Sequence, residues 1–288
     1  MNKIYLIAGL KVELTGDRTV EQVSNLPGFD IFEIADAGKP NIDIHIHMDR
    51  DIDSAFLTGI YHIHRFKVLD IDHYFSIYEE GYLYEMYKQD GSKIISIVYN
   101  PQGNIVYTST SHCPIWTKYA LWVAFTLSAT KKKILPIHAS SIVKDSKAVL
   151  FLGESGTGKS THSRLWLQYI ENSYLLNDDS PLLRIEDDMI LIYGSPWSGK
   201  VHCYKQEAVP LKAMVRISQY PENKIQSAGI LASIGAIQPS FPPFLAYDEL
   251  YSEKVIHMID HIIKEIPVYK LECRPDKQAA EVAYTAIY

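Results

Sequence analysis

Residues 148–161 read AVLFLGESGTGKST: an apolar run, a glycine-rich turn, then residues that start a helix. A strand that feeds a tight turn and a helix has to bury both its faces, so a chain built around this unit folds in layers of helix on sheet. Gly153, Gly158, Lys159 and Ser160 stand at the G-x-x-x-x-G-K-[ST] spacing, in which glycines let backbone N–H groups face an anion. Gly153, Ser155, Gly156, Thr157, Gly158, Lys159, Ser160 and Thr161 are therefore expected to form a cradle for nucleotide phosphates. Within it Lys159 would reach the β- and γ-phosphates of ATP or GTP, and the Ser160 hydroxyl would bind Mg2+. The N-terminus of the following helix would add its positive dipole end.

With 288 residues, 47% of them hydrophobic, the chain has enough apolar material for about two compact domains. Its 28 Lys and Arg against 34 Asp and Glu leave a net charge of -6, so no overall basic field recruits nucleic acid or an anionic membrane. The three cysteines, Cys113, Cys203 and Cys273, are odd in number and far apart, which suits a reducing, cytoplasmic setting better than a disulfide framework. The apolar run at residues 4–10 is broken by Gly9 and lacks a small-residue cleavage site, so it is expected to be a first strand rather than a signal peptide. Residues 119–130 are too few for the roughly 20 needed to span a bilayer and suggest a buried helix.

Residues 3–110 are a series of short alternating or aromatic-rich runs, among them FDIFEI, IDIHIHM, HYFSIYE and KIISIVY, separated by turn residues such as Gly16-Asp17 and residues 38–40. An antiparallel β domain follows, its many tyrosines serving as cross-strand aromatic pairs. The period of two puts Asp43, His45, His47 and Asp49 on one strand face, and His62 and His64 repeat the spacing. A wet strand face accounts for both, and no metal site is assigned there. Residues 114–130 form a helix that opens on Pro114, and the boundary between a β-rich domain (1–133) and a catalytic domain (134–288) falls just after it.

From residue 134 strands and helices alternate: ILPIHASSIV and KAVLFLG as strands, 159–170 as a helix, and SYLLND as a strand. LLRI and MILIYG form a hairpin across Glu186-Asp187-Asp188. A strand at 208–218, helices at 226–237 and 248–265, a strand over VYKLEC and a terminal helix capped by Asp276 complete the chain. His257 and His261 stand four apart on a helix, but HMIDH lacks the glutamate of a zinc-protease motif and is expected to be a surface face.

The strand YLLNDD delivers two adjacent carboxylates where it leaves the sheet. Strand alternation aims Asp178 and Asp179 apart, so one can hold Mg2+ with Ser160 while the other faces an acceptor. Residues 134–275 resemble the HPr kinase/phosphorylase and phosphoenolpyruvate carboxykinase superfamily. Ile137-His138-Ala139, GESGTGKST, Asn177-Asp178-Asp179 and the loop from Tyr193 to Gly199 carry the resemblance, in that order. It implies a mixed α/β P-loop kinase domain in which Asp178 is the general base, Asp179 and Ser160 bind Mg2+, and His138 sits beside the γ-phosphate or acceptor. The two aspartate roles are interchangeable at this level, and Trp197 and Lys200 are candidates for a loop closing over the acceptor. The chain has no counterpart of the LEVRG-type signature, so the resemblance does not extend to HPr as acceptor or to the reverse phosphorolysis.

The expected activity is transfer of the γ-phosphoryl of Mg-ATP to a hydroxyl, a serine of a protein or peptide, with His138, Lys159 and Asp178 as the catalytic set. A small-molecule kinase and a non-catalytic nucleotide-binding accessory protein are the alternatives. A homo-oligomer stays open.

Overall fold

The computed structural model describes every residue except 36–40, 54–56, 58, 61, 69, 112 and 200, and gives only the backbone of His62. It divides into two compact units, Met1–Lys131 with Ala246–Glu249 and Lys132–Leu245 with Leu250–Tyr288. The turn expected at residues 38–40 lies outside the described residues.

In the first unit β1 (Asn2–Ile7), β2 (Leu10–Thr15), α1 (Arg18–Ser24), α2 (Phe29–Phe32), β3 (Glu33–Ile34) and β4 (Ile44–His47) come first. They are followed by β5 (His62–Val68), β6 (Ile71–Tyr78), β7 (Gly81–Tyr87), β8 (Lys93–Asn100), β9 (Ile105–Thr108) and α3 (Pro114–Ala129). One sheet runs in the order β3-β1-β2-β4-β9-β8-β7-β6-β5. It is not wholly antiparallel as expected, because β4 pairs parallel with both β2 and β9. The segment FDIFEI is also not one strand: Phe29 and Phe32 bury themselves from a four-residue helix, and only Glu33 and Ile34 join the sheet. Cross-strand aromatic pairs do form, Phe75 stacking on Tyr82 at 5.5 Å between β6 and β7. Behind them His73 Nδ1 lies 2.8 Å from the Tyr84 hydroxyl, which is 3.2 Å from that of Tyr119 on α3.

The alternating polar face of β4 satisfies itself. His45 Nδ1 lies 2.7 Å from a Glu13 carboxylate oxygen and His47 Nδ1 2.6 Å from the Thr15 hydroxyl. The Lys11 amide donates to Asp43, while the Asp17 and Thr19 amides donate to Asp49 and so cap α1. His64 stacks on Tyr247 at 4.6 Å, and the side chain of His62 lies outside the described residues. Among the described residues no helix is long and apolar enough to cross a membrane.

The second unit contains β10 (Ile134–Pro136), β11 (Ala139–Lys144), β12 (Lys147–Leu152), α4 (Lys159–Tyr169), β13 (Ser173–Asp179), β14 (Leu182–Glu186) and β15 (Met189–Tyr193). It continues with β16 (Ala208–Gln219), β17 (Lys224–Ser227), α5 (Ile230–Ile237), α6 (Glu249–Glu265), β18 (Val268–Cys273) and α7 (Lys277–Ile287). Its mixed sheet runs β10-β14-β15-β16-β12-β11-β13, with β18 pairing β16 and β17 pairing β18. Fully apolar strands such as β12 demand cover, and Trp166 from α4 and Ala279, Ala280 and Ala283 from α7 bury Val149, Phe151, Val215 and Leu271 on one face.

Two local expectations change. The run ILPIHASSIV is two strands, broken at Ile137 and His138, where the Ile137 amide donates to Pro181 O and that of His138 to Ser240 O. Residues 224–227 are a strand on β18 rather than the start of a helix, and the helix begins at Ile230. Asp276 caps α7 as expected, accepting from the Ala279 amide at 3.0 Å.

Candidate functional site

Strands β12 and β16 run parallel, as do β16 and β18, while β11 lies antiparallel between β12 and β13. This brings the C-terminal ends of β12, β13, β16 and β18 and the start of β11 to one end of the sheet. The glycine loop 153–158 is the hub of that end.

Close approach and backbone shape fix the loop's glycines. A Cβ on Gly153 would stand 2.3 Å from Thr157 Oγ1, and Thr157 in turn donates its hydroxyl and amide to Glu154 O. Gly158 is the N-cap of α4 at φ 106, with no side chain capping the helix, so the first amides of α4 look into the loop. Lys159 is only 8% exposed and its Nζ donates to Gly153 O at 2.8 Å and Glu154 O at 3.2 Å. Burial pushes its pKa below the ordinary lysine value, against the raising pull of Asp179 and Asp178 and with a further lowering from Arg216. Ser155 and Gly156 are exposed at the loop's tip, and Thr161 faces a cavity on the α4 side.

On the β13 side Ser160 Oγ donates to Asp178 Oδ1 at 3.1 Å. Asp178 is 4% exposed, whereas the next carboxylate, Asp179, is 55% exposed and lies with Oδ1 3.4 Å from Nε2 of His138. Adjacent strand residues have thus separated into one inward and one outward carboxylate. Asp179 holds φ 110, a backbone region costly for a residue with a side chain.

The loop after β15 clamps this strand end. Asn177, fully buried, donates to the Ser195 and Trp197 carbonyls and accepts from the Ser180 amide. Gly199 N donates to Asp178 O at 2.7 Å, and Ser198 bridges to Asp179. Trp197 is packed inward at 5% exposure rather than poised over the opening, and Lys200 lies outside the described residues.

The donor set Ser160 Oγ and Asp178 is all oxygen, which fits Mg2+, an ion held by one or two carboxylates with substrate phosphates and water rather than by an all-protein cage. Among the described residues no group of three or more His, Cys, Asp or Glu is placed to hold a metal ion. The sequence paired Ser160 with Asp179 for the metal and left the two aspartates interchangeable; Ser160 hydrogen-bonds Asp178.

On the opposite flank stand residues that sequence reasoning passed over. Arg216 reaches the loop, one guanidinium nitrogen 3.5 Å from Glu154, and Gln219 Nε2 donates to Gly156 O at 3.2 Å. The alternation V-R-I-S toward the end of β16 was the available signal. His162 is buried beside the loop: it accepts from Trp166 Nε1 at 3.1 Å, while its Nδ1 has no partner among the described residues, and burial pushes its pKa down to about 4. His257 faces Glu253 at 3.7 Å and His261 the Asp188 carbonyl at 3.1 Å.

No protein-family profile matches the chain, and no curated protein does. Among solved structures it is similar to the Hpr(Ser) kinase/phosphatase from Coxiella burnetii, over 52% of this chain and 95% of that one, at 14% identity and a TM-score of 0.30.

Proposed function

We propose that the chain is a Mg2+- and ATP-dependent phosphotransferase that moves the γ-phosphoryl group to a hydroxyl, such as a serine of a protein or peptide. The observation that carries this is the meeting of Lys159, the Ser160–Asp178 pair and the His138–Asp179 pair around one uncapped helix start. Amides of the loop and of α4 would receive phosphate oxygens, Lys159 would add its charge, and Ser160 with Asp178 would hold Mg2+. When bound, the metal neutralises charge developing on the phosphates. A cavity of about 620 Å3 beside the loop, lined by Thr161, His162, Leu165, Ile217, Tyr220 and Arg274, has the size and mixed character for a nucleoside.

The exposed Asp179, held against His138, is favoured by this geometry as the group that takes the acceptor proton. The acceptor oxygen then forms its bond to the γ-phosphorus as the bridging oxygen leaves with ADP and its electron pair. Asp178 would serve the metal, the reverse of the order first expected from sequence.

Transfer from radiolabelled ATP to protein, metabolite and water fractions of a lysate tests the activity. Asp179→Asn is expected to keep nucleotide binding and lose about 10²-fold or more in transfer, while Asp178→Asn raises the Mg2+ concentration needed for half-maximal rate. If Asp178→Asn leaves the Mg2+ requirement unchanged and Asp179→Asn turns over normally, both roles are wrong. Tight Mg-ATP binding with no labelled product would leave a nucleotide-binding accessory protein.

A further inference from the structure

Strand alternation at the end of β16 and β18 sends Ile217, Gln219 and Cys273 to the cavity on the α4 side, and Arg216, Ser218, Lys270 and Glu272 to a second cavity of about 410 Å3 on the other face. Small residues of α5, among them Ala232 and Gly235, line its remaining wall. Arg216 and Lys270 are directly opposite each other in the parallel register of β16 and β18. Like charges in that position destabilise a sheet, and no carboxylate relieves Lys270: it forms no ion pair among the described residues. Among the described residues the only carboxylate on Arg216 is that of Glu154, at 3.5 Å and itself 81% exposed. Glu272, one strand repeat further along β18 on the same cavity wall, is in register with Lys224 of β17.

Two cations side by side at a cavity next to a phosphate-type loop, one of them with a single exposed carboxylate partner, form a site for a second anion. We propose that Arg216 and Lys270 hold an anionic group of the phosphoryl acceptor, so that the acceptor carries a carboxylate or phosphate close to the hydroxyl it presents. This rests on the kinase reading above. The register sets Arg216 opposite Leu152, the residue before Gly153, so an anion held at Arg216 and Lys270 lies level with the start of the loop.

The test is a calorimetric titration of inorganic phosphate into the full chain saturated with Mg2+ and the non-hydrolysable ATP analogue AMP-PNP. Saturable binding is expected, about ten-fold weaker in Arg216→Ala and in Lys270→Ala, and tighter in Glu272→Gln. Absence of saturable binding, or binding in both alanine variants as tight as in the parent, overturns the subsite. Competition with glycerate and with an acetylated Ser-Asp dipeptide then distinguishes a small hydroxy acid from an acidic peptide as the source of the anion. Displacement by either supports an acceptor site, and displacement by neither overturns it. If AMP-PNP itself fails to bind, the same phosphate titration on the nucleotide-free chain still reads Arg216 and Lys270, so loss of the kinase reading is told apart from loss of the anion site.

Discussion

Gly153 shows how little freedom single positions keep in this loop. Its missing Cβ leaves room for Thr157, whose hydroxyl would otherwise stand 2.3 Å away while tied to Glu154 O. Gly153→Ala is therefore expected to push Thr157 out and cost about 1–3 kcal/mol, with a matching loss of nucleotide affinity. Thr157→Ala removes the nearest atom, so the double variant should recover part of that loss; additive losses in a double-mutant cycle would show that the two residues do not collide. Lys159 adds a charge argument. Its lowered pKa means that the ammonium is lost at a lower pH than an ordinary lysine would lose it. Binding of AMP-PNP to the free protein should thus weaken at a lower pH than an ordinary lysine would dictate, and that alkaline limb should be missing from Lys159→Ala.

At the level of elements, the end of β13 and the loop that follows β15 form one device. Asn177 ties the two together from inside, and its replacement by alanine removes a donor from the Ser195 and Trp197 carbonyls and an acceptor from the Ser180 amide in a dry place, at an expected cost of about 2–4 kcal/mol read as a lower thermal midpoint. The carboxylate that this device presents is held at a backbone price: Asp179 sits at φ 110. Asp179→Gly should relieve it and raise stability by about 1 kcal/mol while transfer is lost; a lower midpoint would mean that the contact with His138 outweighs the strain. These motifs were legible in sequence because each is local: the glycine loop, NDD and GSPW carry their chemistry within a few residues. What escaped was either too short or too distant. A four-residue helix such as α2 shows barely one turn of periodicity, so FDIFEI passes for a strand. Arg216 and Lys270 meet only through the parallel pairing of β16 with β18, which no spacing along the chain announces. The partner of Ser160 likewise depends on which carboxylate the strand turns inward.

Across the whole molecule, each unit encloses one histidine that folding keeps neutral. In the first, burial pushes the pKa of His73 from 6.5 to about 4, against a small opposing pull from Asp72; in the second, burial does the same to His162. Between pH 6.5 and about 4 the unfolded chain binds a proton at each of these positions and the folded chain does not, so stability falls as the pH drops through that window and is fully present above it. For His162 the shift corresponds to roughly 3 kcal/mol. Calorimetric scans at pH 7, 6, 5 and 4.5 should show midpoints falling in both units. His162→Phe, which also leaves the Trp166 indole N–H without its acceptor, is expected to start lower at pH 7 yet lose less on acidification, because the His162 contribution is gone. Saturating Mg2+ and AMP-PNP adds a ligand contribution to the second unit, in proportion to the logarithm of free ligand over its dissociation constant. A variant whose midpoint falls with pH as steeply as the parent's would show that His162 is protonated in the folded chain and that its buried, neutral state beside the loop is wrong.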